Sequence, residues 1–310
     1  MSKHWTLNTF TVVTTTEGGD ADVLYANGTM QVPVVVTVSA VNDDNTPHIL
    51  TDDELSSLKL IDCDGPPSDL SDGWTYSTTE NLYDHTIGPG AERTVAVDLG
   101  PSKQRYWVST ATAEAKNIGA SIKVQDGSVV DTSGSGTFKS TVNITGRPPV
   151  DVLFEDLDLW QDTNTANGDI DPYTYDQDNY YLTIKGNRHV RFLDCNGFDG
   201  GGSDPLLYRS IAMFSNHMPC YIWYWWPVGP TTTVLAGCKD VAVKITVNQQ
   251  KDAACLTRLL FDDGPNIWHK HYRWEAKFTV YDQYGNSCVF YPKWVDEWNT
   301  LELSKSKTDE

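Results

Sequence analysis

The stretch Val32-Pro33-Val34-Val35-Val36-Thr37-Val38-Ser39 decides how this chain folds. Val32, Val34, Val36 and Val38 return every second residue, the period at which a β-strand comes back to one face, so the segment reads as a strand with one strongly apolar side. The same alternation runs through Val241, Val243, Ile245 and Val247 against Ala242, Lys244 and Thr246. It appears again in Trp274, Ala276, Phe278 and Val280 against Glu275, Lys277 and Thr279. Half-buried strands of this kind belong to antiparallel sheets. Between them, Tyr25-Ala26-Asn27-Gly28, Gly186-Asn187 and Tyr284-Gly285-Asn286 supply residues that tolerate the positive φ of tight hairpins.

Helix signals are scarce. In Thr51-Asp52-Asp53-Glu54-Leu55-Ser56-Ser57-Leu58, Thr51 and Glu54 stand at capping-box spacing and the acids suit the positive end of the helix dipole, which predicts about two turns crossing between strands. Segment 109–124 is ambiguous, its alanines permitting helix and its Thr and Ser residues favouring strand. The fold expected is all-β, with two antiparallel β-sandwich domains. Thr145-Gly146-Arg147-Pro148-Pro149 marks the boundary, since a Pro pair cannot continue a ladder and stiffens a short linker. The domains are then 1–147 and 150–310, the second opening on an acidic, polar stretch from Phe154 to Tyr180 and closing on a solvated tail, Lys305 to Glu310.

Asp and Glu number 42 against 23 Lys and Arg, a net charge of −19 over 310 residues. Such a surface repels polyanions, which excludes nucleic acid as a partner and disfavours anionic membranes. The acidity is shared, with net −10 over residues 1–150 and −9 over 151–310. No stretch approaches the ~20 apolar residues of a membrane-spanning helix. Met1-Ser2-Lys3-His4-Trp5-Thr6-Leu7-Asn8 lacks the apolar run of a signal peptide, so the expectation is synthesis in the cytoplasm, with any release by a non-classical route.

The run Leu24-Tyr25-Ala26-Asn27-Gly28-Thr29-Met30-Gln31-Val32-Pro33-Val34-Val35-Val36-Thr37-Val38, followed by Asn42-Asp43-Asp44-Asn45, resembles the Ala-Asn/Asp-Gly strand opening of bacterial immunoglobulin-like domains of the invasin and intimin adhesin type. The resemblance covers about twenty residues. It implies an immunoglobulin-like sandwich for the first domain, interrupted by the short helix at 51–58, and a role in adhesion.

Cys63, Cys195, Cys220, Cys238, Cys255 and Cys288 are scattered singly, with no CxxC for a zinc ribbon or a redox pair, and read as buried reduced thiols, or as one or two disulfides after secretion. Asp162, Asn164, Asn167, Asp169 and Asp171 approach the oxygen spacing of a calcium loop, although Gly168 comes one residue late and the terminal Glu is missing. Calcium is therefore the one cofactor expected, against the alternative of a solvated acidic loop. Asp194 to Asp199 and Asp62 to Gly65 carry similar ligand types and read as ordinary turns. His269 and His271 would share one face of a strand, with no third metal ligand nearby. Nucleophile elbow, HExxH, P-loop and dinucleotide fingerprints are all missing, and the reading leans away from an enzyme.

Eight of the eleven Trp residues lie past residue 150. Tyr221-Ile222-Trp223-Tyr224-Trp225-Trp226-Pro227, read as a strand, puts aromatic rings on both faces. Either the strand is buried between two layers, or it exposes a platform of the kind that stacks on sugars. Trp294 and Trp298, among Lys293, Asp296 and Glu297, mix rings with polar groups as sugar sites do. The expected function is non-catalytic recognition of a cell-surface glycan or receptor by Tyr221, Trp223, Trp225, Trp226, Trp294 and Trp298. A host-directed, insecticidal-type toxin acting at membranes and a self-assembling subunit of a phage-like particle or filament are the alternatives.

Overall fold

In the computed structural model, residues 4–87, 103–196, 206–213, 219–238, 241–262 and 276–307 are described. The chain forms two compact units, Met1–Val150 and Asp151–Glu310. Among the described residues both are built of strands, and helix is confined to one turn at Asp52–Leu55 and two short 3₁₀ turns at Phe154–Asp156 and Asp296–Trp298.

In the first unit, Trp5–Thr14, Val32–Asn42, Lys103–Thr110 and Trp74–Ser77 lie side by side in that order. The facing sheet runs Ala21–Tyr25, Val142–Arg147, Ala115–Lys123, Lys59–Asp62 and Ser68–Asp69. Setting aside Ala21–Tyr25 and the short additions, one sheet holds the first, second, fifth and fourth strands of the chain and the other the third, sixth and seventh. That is the strand distribution of an immunoglobulin-type sandwich. One pairing departs from the antiparallel expectation: Val142–Arg147 runs parallel to Ala21–Tyr25. Val32, Val34, Val36 and Val38 are each at most 1% exposed, Val35, on the opposite face, is only 3% exposed, and the strand is flanked on both sides within its sheet. The ambiguous segment 109–124 resolves as the strand Ala115–Lys123, its β-branched residues finding a ladder on both sides.

The expected two-turn helix is a single turn. Its capping box is complete: Thr51 Oγ1 accepts from the Glu54 amide while the Glu54 carboxylate accepts from the Thr51 amide at 2.8 Å. That carboxylate also accepts from the Trp5 indole at 2.6 Å and meets His48 at 3.2 Å, and the His48 ring stacks on Trp5 at 5.4 Å. The turn is held by one acid that staples strand Trp5–Thr14 to the crossover.

The second unit is a sandwich with one further cover. A five-stranded sheet, Leu157–Ile170, Tyr173–Ile184, Ala254–Phe261, Cys220–Trp225 and Tyr208–Met213, faces a four-stranded sheet of Val190–Asn196, Lys277–Asp282, Ser287–Val295 and Thr300–Ser304. Leu182, Trp223, Trp225, Leu256, Phe278 and Phe290 fill the space between them. The hairpin Thr232–Cys238 with Val241–Val247 pairs with neither sheet and packs Val241, Val243, Ile245 and Val247 onto the other face of the five-stranded sheet. A Cβ built at Gly237 would lie 2.0 Å from the Val241 carbonyl, so only glycine lets the two hairpin strands close there. The acidic, polar stretch from Phe154 to Tyr180, with its expected loop at 162–171, lies mostly in a long β-hairpin, because its backbone groups pair with each other and with Ala254–Phe261. Trp274, placed on a strand by its alternation, lies outside the described residues, and the strand is seen from Lys277 onward.

Burial pushes the Glu54 carboxyl up, but the bonds from Thr51, His48 and Trp5 outweigh it and hold the group below its ordinary value. A carboxylate whose folded pKa is lowered contributes stability that is complete above its unfolded pKa and lost as pH falls through the folded one. Melting temperatures measured from pH 7 to pH 3 should therefore fall in the acid range for the wild type, and Glu54→Gln should lower the melting temperature at pH 7 and flatten that part of the profile.

Candidate functional site

Strand Cys220–Trp225 lies inside the five-stranded sheet, between Ala254–Phe261 and Tyr208–Met213. Tyr221, Trp223 and Trp225 point toward the four-stranded sheet, and Ile222, Tyr224 and Trp226 toward the hairpin. Trp223 and Trp225 are 0% and Trp226 4% exposed. Trp225 stacks on Phe278 at 3.9 Å, while Trp226 stacks on Tyr224 at 5.3 Å and donates to Thr257 Oγ1 at 2.9 Å. These three indoles offer no ring face to a ligand: of the two readings of the strand, burial between two layers is the one the chain adopts. The reason is hydrophobic. Each indole removes on the order of 200 Å² from water, about 5 kcal/mol by area, and both faces of the sheet have an apolar cover at hand.

Tyr221 and Trp223 reach one end of the space between the two sheets. The register places Asp176, Leu260 and Tyr221 in one cross-strand row, Asp178, Arg258 and Trp223 in the next, and Tyr180, Leu256 and Trp225 beyond. The first row is partly exposed and the others are buried, so the first row forms the rim of the sandwich. Arg258 is 4% exposed. Its guanidinium donates to Asn299 Oδ1 and to Asp178 Oδ2, each at 2.5 Å, and also pairs with Asp176, while Gln161 donates to Asp178 at 2.7 Å.

Trp294 and Trp298 arrive at this end from the other sheet. Between Ser287–Val295 and Thr300–Ser304 the chain turns through Asp296, Glu297 and Trp298 at φ of +48°, +52° and +76°. Side-chain-bearing residues in the left-handed region cost roughly 1–3 kcal/mol each unless their surroundings hold them, and such strain clusters at binding sites. Here the Trp298 ring stacks on Trp294 at 4.7 Å, its carbonyl accepts from the Trp223 indole at 2.9 Å, and Thr300 Oγ1 donates to Asp296 at 2.8 Å. Trp298 is 6% exposed, Trp294 half-buried, and Asp296 and Glu297 exposed. Three donors here, the Trp294 indole, the Tyr180 hydroxyl and Arg258 Nε, are buried without a partner. Burial pushes the Tyr180 hydroxyl well up, against the pull of Arg258.

Of the six aromatic residues expected to bind ligand, Trp223, Trp225, Trp226 and Trp298 are buried in the cores, and Tyr221 and Trp294, near one end of the second unit, are partly exposed. Arg258 was missed. Its signal was legible, since it interrupts the inward-facing series Ala254, Leu256, Arg258, Leu260 with a charge.

The five residues expected to hold calcium do not lie on a loop. Asp162, Asn164, Asn167 and Asp169 belong to strand Leu157–Ile170, whose ladder shifts register between Asp162 and Ala166, and Asp171 sits in the hairpin turn with a cis peptide to Pro172. A strand sends successive side chains to opposite faces, whereas calcium needs its oxygens around one point. Among the described residues no three His, Cys, Asp or Glu side chains are grouped to hold a metal. Asp62 pairs with Lys116 at 2.6 Å and Asp64 accepts from Asn117 at 2.8 Å, which makes that turn structural. His269 and His271 lie outside the described residues. Cys63, Cys195, Cys255 and Cys288 are free thiols, and burial pushes Cys63 up to about 11 and Cys195 up to about 12, so neither is a nucleophile at neutral pH.

No protein-family model matches the chain, and no curated protein matches it. Among solved structures it is similar to the adhesin InvE of Yersinia pseudotuberculosis, at 12% identity and a TM-score of 0.19, over 96% of this chain and 58% of that one. It is similar to invasin, a bacterial integrin-binding protein, at 11% identity and a TM-score of 0.19, over 92% and 59%. For the collagen-binding domain of the Erysipelothrix rhusiopathiae surface protein RspB the values are 8% and 0.16, over 96% and 93%. The chain thus spans less than two thirds of the first two structures. TM-scores of this size do not establish a shared fold, and the immunoglobulin-type order of the first unit rests on its own ladders.

Removing Arg258 would take the guanidinium from the buried Asp178 and leave it beside the half-exposed Asp176, whereas Tyr180 makes no hydrogen bond that a Phe would lose. Urea unfolding should show Arg258→Ala destabilised by about 3–5 kcal/mol. Tyr180→Phe should be unchanged or up to about 1 kcal/mol more stable.

Proposed function

We propose that this protein is a non-catalytic binding protein whose second unit recognises a neutral glycan on a cell surface through the open end of its sandwich. The observation that carries the reading is the left-handed turn at Asp296–Trp298, which presses Trp298 onto Trp294 and leaves Trp294 partly exposed. Across the rim Tyr221 is likewise partly exposed. Flat rings with polar edges stack on the apolar faces of sugars. Asp176, Asp296, Glu297 and Asn299 stand at the same end and accept hydroxyl protons directly. Trp223 and Arg258 hold this arrangement from beneath without touching ligand. The net charge of −19 favours neutral sugars over sialylated or sulfated ones. The first unit, an immunoglobulin-type sandwich, serves in this reading as a spacer.

On an array of neutral and sialylated glycans the wild type should bind neutral members. Trp294→Ala should weaken that binding at least tenfold at a temperature where the variant, somewhat destabilised by loss of the stack on Trp298, is still folded. Unaltered binding by Trp294→Ala, or no binding by the wild type, would sink the assignment.

A further inference from the structure

Trp160 is 38% exposed, the most exposed indole among the described residues. It sits on the edge strand Leu157–Ile170, where alternation puts Asp158, Trp160 and Asp162 on the face that carries the hairpin Thr232–Val247, away from the four-stranded sheet. Its cross-strand partner is Tyr181, whose ring lies 4.8 Å away at 37°. Tyr181 is 0% exposed and its hydroxyl is within 3.4 Å of Asn179 and Gln249, in a network that Thr257 and Trp226 continue inward. The exposed indole therefore rests on a ring that cannot move. Asp158, exposed, and Asp162, half-buried, flank it along the strand, and Thr183 stands opposite Asp158. Just past Asp162 the ladder shifts register, with Thr165 Oγ1 accepting from the Asn179 amide at 2.9 Å and donating to the Asp162 carbonyl at 2.8 Å. Bulges of this kind re-aim side chains and are frequent beside binding sites.

A rigid, half-open indole between two carboxylates has the chemistry of a sugar platform: the ring takes the apolar face of a pyranose and the carboxylates accept its hydroxyls. We infer that Trp160 is a second platform for a neutral sugar, separate from the rim at Trp294, so that one chain carries two glycan sites. This rests on the glycan reading above. The two platforms lie to either side of the five-stranded sheet, Trp160 on its hairpin face and Trp294 on the four-stranded sheet packed against the other face, which keeps them from serving one sugar ring and suits them to cross-linking two chains of a multivalent surface.

The test uses the full chain, the neutral glycan that binds most tightly on the array, and the same glycan on a multivalent carrier protein. Titration calorimetry should give two sites per wild-type chain, and mixing with the carrier should give a precipitate. Trp160→Leu, which keeps an apolar cover over Tyr181 without a flat ring, should retain the wild-type melting temperature, bind one glycan per chain and form no precipitate. Trp294→Ala should likewise keep one site. Two sites surviving in Trp160→Leu, or a single site in the wild type that Trp294→Ala abolishes, would overturn the second platform and leave the glycan reading standing. Failure of the wild type to bind any glycan would overturn both. Loss of binding to a Lys-rich peptide on Trp160→Leu, with glycan binding intact, would mark Trp160 as a cation site instead and overturn the sugar platform.

Discussion

Strand Cys220–Trp225 carries large side chains on both of its faces, and the second unit is organised around the need to cover it twice. Trp223 and Trp225 are roofed by the four-stranded sheet, and Ile222, Tyr224 and Trp226 by the hairpin Thr232–Val247. An antiparallel sheet with one wet face would have left half of these rings in water. The hairpin joins no ladder of either sheet, so it is held by packing and by side chains: the Tyr224 hydroxyl bridges the Gly237 amide and carbonyl at 2.8 and 2.9 Å, and Gln177 and Asn179 both reach the Thr246 carbonyl at 3.0 Å.

Covering the rings has a consequence for function. With the strand core, aromatic surface beside it reaches solvent where the covers stop, at the end of the sandwich and at the edge of the five-stranded sheet. Trp294 and Tyr221 are at the first place and Trp160 at the second. The buried Arg258, paired with Asp176 and Asp178, lies one row beneath the rim. Both places combine indole with carboxylates, a pairing that an overall excess of acids makes easy to assemble but that only exposure makes available.

Legibility differed sharply between fold and site. The strands at Val32–Ser39 and Val241–Val247 were readable because period-2 alternation reports directly on which face is buried, and the capping box at Thr51 and Glu54 because its bonds are local. The acidic stretch after Phe154 read as loop for lack of apolar residues. Its ladder is nevertheless long, since one face of Leu157–Ile170 turns toward solvent at the sheet edge, where Asp and Asn are well tolerated. The spacing that suggested calcium ligands likewise suits a loop, whereas most of those residues lie on a strand.

By itself the sequence determined an all-β chain, the faces of its strands and the concentration of aromatic residues past residue 150, because these follow from residue type and from neighbours two positions away. Only the tertiary structure decided which of those rings are core and which are surface. Exposure depends on what lies over a face, and for Trp225 and Trp226 that cover comes from Phe278 and the hairpin, dozens of residues or a whole layer away from anything alternation can see.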